Sequence, residues 1–563
     1  RLSEGQHPQT GEQLVLHRAV HEYQNAEGKM VSPVEHRAGW DATFSAPKSI
    51  SLTALVGGDD RVREAHRQAV SVALNELERY TQARLGGNHP AETTGQFVAA
   101  KFEHDTARPV DGYAAPQLHT HAVVFNMTER ENGAMRALQP QGLFDSQRFA
   151  TAVYQSHLTF QLRSFGYEIE PGKSGAPEIK GYSQEYLDAS SPRRQQIEEA
   201  LARSGFSGHE AAQIAAHNTR DKKVILSPDE VLAAHRQIAA EFGNQADKVV
   251  AEAHRRQSQA QERPAGAPQQ KAQEAVTFAR DRSFEREAVM DERSLFVDAM
   301  RRGMGETTYP EVRASFEARV ACGEFRLVAG EKHDTGRQFT TAETIKAERE
   351  VVQKVRNGQG SAPQLLSVEQ AIRLTEARPQ LNRAQRNAIE QILTSRDQVQ
   401  GLQGSAGVGK STTLASIRQG AEHNGYVVEG FAPTSRAARQ LCDVGVAGDT
   451  LQGFLARSRN ATDPTEKHLY MIDESSLAST KQMRDFLGRV GPQDKVLLIG
   501  DSRQHQGVDA GKPFEQLQQA GMQTAQLDQI VRQKDPELLK AVEHLSKNET
   551  AVGVQMLQQQ GRV

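Results

Sequence analysis

The sequence predicts a multidomain protein in which an α+β domain, built on an antiparallel sheet with helices, precedes an α/β lobe with a parallel sheet. Three stretches carry this expectation. Residues 116–128, PQLHTHAVVFNMT, read as a strand, and further β-rich runs at 42–55 and 96–102 flank an amphipathic helix at 61–85 whose apolar residues recur at three and four. Residues 401–414, GLQGSAGVGKSTTL, follow an extended run and lead into a helix. Between them, residues 257–275 are rich in Gln, Ala and Pro, which reads as a linker.

At 563 residues the chain has room for three or four domains. No apolar run is long enough to span a bilayer, so no membrane insertion is expected. The two cysteines, Cys322 and Cys442, lie far apart, which argues against a disulfide framework and fits a reducing, cytoplasmic setting. A net charge of −3 excludes a globally basic DNA-coating protein but leaves a local positive groove open.

In the strand at 116–128, His119 and His121 stand two apart and therefore project from one face of a sheet. Histidines in this pattern are by themselves more often surface residues than ligands. Here His104, in KFEHDTARP, offers a third imidazole, and Asp41, in GWDATFSAPKS, offers a carboxylate. Three neutral imidazoles on one divalent cation, with a carboxylate on the N–H of one ring, leave coordination positions open for a substrate oxygen.

The blocks DATFSAPKSISL, FEHDTAR and PQLHTHAVVFNMT, in that order, closely resemble the signature of the MobF-type conjugative relaxases, the TraI/TrwC group. The resemblance covers residues 1–240. It implies an HUH-type relaxase domain over residues 1–256, with His104, His119 and His121 as metal ligands, Asp41 as the carboxylate that orients or deprotonates the attacking group, and Arg108 on the phosphate. The implied cation is Mg²⁺ or Mn²⁺, with Zn²⁺ the other candidate. The polar helices at 189–216 and 229–256 correspond to the fingers that close over the bound strand. The family's nucleophile is a tyrosine near the N-terminus. No tyrosine here stands in a matching motif, Tyr23 included, so the chain is expected to be a fragment that begins downstream of it.

The second motif, Gly404 to Ser411, fits G-x-x-x-x-G-K-[ST]. Gly404, Gly407 and Gly409 let backbone N–H groups wrap a phosphate at a helix N-terminus, Lys410 neutralises the β/γ oxygens, and Ser411, followed by Thr412, ligands Mg²⁺. ATP with Mg²⁺ is the expected cofactor. LYMIDESS ends an apolar run in Asp473, for the Mg²⁺ shell, and Glu474, to activate water. Strands near Gln398, Tyr426, His468 and Lys495, separated by helices, predict a RecA-like core over residues 366–563.

Further blocks resemble superfamily 1, RecD-like helicases. Gln385 in LNRAQRNAIEQIL matches the glutamine that reads adenine, FAPTSRAARQL the motif that contacts single-stranded DNA, Gln504 in VLLIGDSRQHQ the γ-phosphate sensor, and Arg532 in IVRQ the arginine of the facing lobe. Residues 276–365 resemble the small helical accessory module that precedes this motor. The second motor lobe is expected to be missing.

Together these resemblances imply a relaxase-helicase. It nicks one strand at a plasmid origin of transfer by metal-assisted tyrosine transesterification and unwinds DNA with a 5′-to-3′ motor. Its implied partners are single-stranded and duplex origin DNA, other relaxosome components and type IV coupling proteins. Two alternatives stay open: a rolling-circle replication initiator, and a RecD-like repair helicase whose N-terminal domain only binds DNA.

Overall fold

The computed structural model describes residues 1–15, 23–24, 30–31, 37–86, 89–172, 175–219, 226–259, 266–330, 335–405, 407–457, 466–501, 511–529, 533, 535–546 and 549–562. The chain divides into two compact units. The first comprises Arg1–Asp281, Met290–Gly323 and Leu327–Phe339, and the second Arg282–Val289, Glu324–Arg326 and Thr340–Val563.

The first unit is organised around a three-stranded antiparallel sheet of order β1-β3-β2, with β1 Gly39–Ser45, β2 Ala99–Thr106 and β3 Pro116–Phe125. Burial alternates along β3. Leu118, Thr120, Ala122 and Val124 are buried, while Gln117, His119, His121 and Val123 are half-exposed. That is the pattern of a sheet with one face on the core and one toward solvent. Helices α1 (Lys48–Leu55) and α2 (Asp60–Glu78) pack on β3, and α3 (Gln147–Ser164) packs on α2.

Residues 48–55 correct the expected strand at 42–55. The alternation of Ile50, Leu52 and Ala54 with Ser49, Ser51 and Thr53 reads as a strand, yet Ser49 to Ala54 are all buried in a helix. The small polar side chains satisfy themselves locally: Ser51 Oγ donates to the Pro47 carbonyl and Thr53 Oγ1 to that of Ser49. A helix buried on all sides has no polar face to reveal its period.

His66 lies in the apolar stripe of α2 and is fully buried beneath the sheet. Its Nδ1 is 2.8 Å from the Tyr154 hydroxyl on α3 and its Nε2 2.9 Å from Thr120 Oγ1 on β3. The imidazole thereby joins three elements.

The expected helices at 189–216 and 229–256 each break at glycine turns. The first becomes Pro192–Ser204 and His209–Asn218, with Gly205 at φ 69° closing the former, and the second becomes Pro228–Glu241 and Gln245–Gln259. The segment 257–275, read as a linker, contains the end of that last helix and the start of another, Ala267–Arg286. Alanine, glutamine and lysine are good helix formers, and Pro268 sits in the first turn, where its missing N–H costs nothing. The segment 276–365 is divided between the units. Helices α4 (Glu292–Arg302) and α5 (Tyr309–Ala321) belong to the first, where α4 packs on α3; α6 (Ala342–Asn357) belongs to the second.

The second unit is a parallel sheet of six strands in the order β6-β5-β7-β8-β4-β9. The strands are β4 Val399–Gly404, β5 Tyr426–Ala432, β6 Ala447–Thr450, β7 Lys467–Ile472, β8 Lys495–Gly500 and β9 Thr524–Leu527. Successive residues enter different cores. Leu469 and Met471 join Ile389, Ile417 and Leu497 on one side, while Tyr470 and Ile472 join Phe486, Val496 and Leu498 on the other. Both faces are covered, as the near-continuous apolar runs of the sequence predict. This is the expected RecA-like arrangement, with α7 (Arg383–Thr394), α8 (Lys410–His423) and α9 (Ser435–Asp443) among its helices.

Burial pushes the His66 imidazole from its ordinary 6.5 down to about 4. Between those values the unfolded chain holds a proton that the folded chain does not. Stability therefore falls as pH drops from 6.5 toward 4, by about 3 kcal/mol over the whole window. Trp40, the single tryptophan, lies on β1 and reports the first unit. Denaturant unfolding followed by its fluorescence should show this loss. In His66→Phe the dependence over that window should shrink by the His66 share, leaving that of His119, His157 and His235, whose pKa values burial also lowers.

Candidate metal centre and phosphate-binding loop

The β-ladder registers bring the three predicted imidazoles to one face. His104 on β2 is paired with His119 on β3, and His119 with Ser45 on β1. His121 is paired with Thr43 on one side and Phe102 on the other. Ring centres are 5.3 Å apart for His104 and His119, 5.4 Å for His104 and His121, and 5.1 Å for His119 and His121. His104, expected just beyond the strand, is inside it, and a register shift follows between His104 and Thr106. Such bulges re-aim side chains beside functional sites.

Two of the rings have a determined tautomer. Asp41 Oδ2 lies 2.6 Å from His121 Nδ1, and the Gln117 carbonyl 2.9 Å from His119 Nδ1. Both oxygens only accept, so each Nδ1 carries the hydrogen and each Nε2 keeps its lone pair for a ligand. Thr43 Oγ1, 3.3 Å from Asp41 Oδ2, also braces this pair. Burial lowers the pKa of His119, assisted by the neighbouring imidazoles of His121 and His104 and opposed by its bond to Gln117. For His119 the net effect is toward the neutral form, in which Nε2 can donate to a metal.

The triangle has the size of a three-imidazole metal site. A metal about 2 Å from each Nε2 lies about 3 Å from each ring centre, which puts ring centres about 5 Å apart. Among the described residues, no group of three or more His, Cys, Asp or Glu has its donor atoms already gathered closely enough to hold an ion. The ladder supplies the spacing and the donor chemistry fits. Arg108 is exposed just past the end of β2.

Phe102 is a residue that motif reading missed. It is 53% exposed and shares the histidine face, opposite His121. The signal was present in the alternation, since Phe102 stands two before His104. Tyr154, by contrast, is buried on the opposite side against His66.

In the second unit, the loop after β4 takes the form that the glycines require. Gly407 and Gly409 have φ of 84° and 81°, and Gly409 caps α8, whose first residue is Lys410. At Gly404 a Cβ would stand 2.9 Å from Val408 Cγ2 and 3.1 Å from Leu527 Cβ. The Lys410 ammonium donates to the Gly404 carbonyl at 3.0 Å, across the mouth of the loop. Ser411 and Thr412 are exposed on the first turn of α8. Gln385 is buried with both ends of its amide engaged, Nε2 on the Gly409 carbonyl at 3.3 Å and Oε1 on the Asn382 N–H at 3.0 Å.

Asp473 and Glu474 follow β7. Burial raises the Asp473 carboxyl above its ordinary range, against the pull of the Glu474 N–H and the Lys410 charge. Glu474 sits at φ 51°, and its Oε2 accepts from Thr434 Oγ1 at 2.9 Å. No sequence signal pointed to that bond. Ala406, Gln504 and Arg532 lie outside the described residues.

Against known families, residues 1–242 match the TrwC relaxase profile and residues 380–563 an AAA domain profile. Over its first 242 residues, the chain belongs to the TrwC relaxase family. This bears out the resemblance read from the motifs and favours neither alternative. The multifunctional conjugation protein TraI of Escherichia coli is 37% identical over 221 residues, which are 37% of this chain and 12% of that protein. The ATP-dependent RecD2 DNA helicase of Deinococcus radiodurans is 36% identical over 164 residues, 28% of this chain and 22% of that one. The chain thus spans only a small part of these curated relatives. A metal-bound structure of the conjugative relaxase TrwC in complex with oriT DNA shares 34% identity, covering 43% of this chain and 80% of that one, with a TM-score of 0.36. Among the described residues, no helix is long and apolar enough to cross a membrane.

Asp41 fixes the tautomer and aim of His121, so Asp41→Asn should weaken Mn²⁺ or Zn²⁺ binding by about 10- to 100-fold without unfolding the unit. Titration calorimetry of the variant, with Trp40 emission as the fold control, checks this.

Proposed function

We propose that the chain is the relaxase and first motor lobe of a conjugative relaxase-helicase. The observation that carries this is the gathering of His104, His119 and His121 on one open sheet face, with Asp41 on His121, in a chain that also holds a phosphate-binding loop. The TrwC family assignment and the likeness to TraI support it.

In this reading the substrate is single-stranded DNA at an origin of transfer, reached from duplex DNA by the motor. The three imidazoles hold a divalent cation, Mg²⁺ or Mn²⁺ ahead of Zn²⁺. Once bound, the cation supplies charge neutralisation and positioning at the scissile phosphate. His119 and His121 present Nε2, Asp41 keeps His121 in its ligand tautomer, and Arg108 neutralises a neighbouring phosphate oxygen. A tyrosine hydroxyl displaces the 3′ oxygen, giving a 5′-phosphotyrosyl strand and a free 3′-OH, and conserves the phosphodiester energy for rejoining. Phe102 offers a ring to a base next to the reacting phosphate.

Residues 366–563 form the motor lobe. Gly404, Gly407, Gly409 and Lys410 cradle the phosphates of ATP, and Ser411, Thr412 and Asp473 serve Mg²⁺. Gln385 and Gln504 sense the nucleotide, Glu474 orients water, and Arg532 acts on the transition state. Translocation runs 5′ to 3′ in the cytoplasm, in company with relaxosome and coupling proteins.

Three measurements test the halves separately. In the full chain, His119→Ala or His121→Ala should abolish Mn²⁺ binding while Lys410→Ala leaves it intact; retained affinity in the histidine variants would sink the metal-site reading. Phe102→Ala should weaken binding of a single-stranded oligonucleotide about tenfold, with Phe102→Trp restoring it. Lys410→Ala should remove Mg²⁺-dependent ATP binding, read by equilibrium dialysis.

A further inference from the structure

A cavity of about 380 Å³ lies within the first unit, lined in part by Arg79, Tyr80, Glu292, Tyr309, Arg313 and Arg337. None of these belongs to the histidine face or to the motifs of the proposed reaction. The residues come from distant parts of the chain: the end of α2, the start of α4, α5, and the segment before residue 338.

The balance of donors and acceptors is one-sided. Glu292 is buried, and both its oxygens are taken. Tyr80 donates to Oε1 at 3.2 Å, and Arg337 Nε donates to Oε2 at 2.7 Å. Arg337 is further held by Glu317 at 2.6 Å. These groups form a fixed wall. The other donors are not used up. Arg313 is one-third exposed, and its ion partner is Glu76, whose Oε2 is 3.8 Å away; the same oxygen meets Arg79 Nε at 2.8 Å. A guanidinium carries five N–H groups, so one carboxylate shared between two of them leaves most of their donors open. Tyr309 is only 3% exposed, and among the described residues its hydroxyl has no hydrogen-bond partner, although it lines the cavity.

The Tyr309 hydroxyl at the cavity and the guanidinium groups of Arg79, half exposed just past α2, and Arg313, one-third exposed on α5, offer open donors suited to a ligand that only accepts and is negatively charged. Guanidinium forks match the tetrahedral oxygens of a phosphate. The volume exceeds a bare phosphate and lies at the lower end of small-molecule sites, so the group is carried on an organic body.

We propose that this cavity is a phosphoryl-binding site, in which Arg79, Arg313 and Tyr309 take a phosphate ester against the wall formed by Glu292 and Arg337. The ester comes either from a free nucleotide or from a phosphodiester of a bound strand, the same chemistry in both cases.

The test uses the full chain carrying Lys410→Ala, which blanks the phosphate-binding loop, in buffer without Mg²⁺. One arm titrates deoxyadenosine monophosphate by calorimetry; the other photocrosslinks an 8-azidoadenine-containing single-stranded oligonucleotide and maps the labelled peptide. A free-nucleotide site gives saturable binding in the first arm that falls about tenfold in Arg313→Ala and severalfold in Tyr309→Phe. A strand site gives no such binding but labels the peptide containing Tyr309, and the label is lost in Arg313→Glu. Mn²⁺ affinity at the histidines stays unchanged in every variant, which separates this site from the proposed metal centre and shows that the unit is folded. Absence of both monophosphate binding and labelling, or signals unaltered by Arg313→Glu, overturns the proposal.

Discussion

The register of β3 between β1 and β2 is the constraint on which the candidate metal centre rests. Side chains on a strand alternate faces with a period of two, so a slip of one residue would send His119 and His121 into the core and leave His104 alone outside. Contacts on the buried side oppose that slip. His66 meets Thr120, and the Leu118 N–H donates to Ser51 Oγ. At the start of the strand, the Lys48 ammonium donates to the Pro116 carbonyl at 2.7 Å and Gln117 Nε2 to the Ala46 carbonyl at 2.7 Å. Burial lowers the Lys48 pKa to about 8, the attraction of Glu178 acting the other way. An ammonium buried at that cost is a strong anchor, because breaking its bond would leave the charge desolvated and unmet.

The two units put their chemistry on different kinds of support. The histidine site uses the open face of an antiparallel sheet, where one side can be wet and rigid together. The proposed phosphate-binding loop uses the C-terminal ends of parallel strands, where glycines and the N-terminus of α8 expose backbone N–H groups. Glu474 in a left-handed conformation, held by Thr434, is a local irregularity of the kind found where function outweighs backbone preference.

Much of this was legible in the sequence because its signals are local. The histidine spacing, the glycine spacing of the loop, the apolar runs of the parallel strands and the stripe of α2 each follow from a fixed repeat. Where local signals conflict or are missing, the reading departs from the structure. The Ser/Ile alternation of residues 49–54 hides a helix buried on all sides, the Gln/Ala/Pro run at 257–275 hides two helical segments, and Gly205 splits a helix that its periodicity would continue.

By itself, then, the sequence determined the two fold classes, the same-face placement of His119 and His121, and the glycine turn that opens α8, since these depend on neighbours within a few residues. Only the tertiary structure decided that His104 faces His119, that Asp41 holds His121, that His66 braces the sheet from below, and that arginines from α2, α5 and the segment near residue 337 surround one cavity. Those pairings join residues tens to hundreds apart, and their distances are set by strand register and helix packing, which no local pattern of residues encodes.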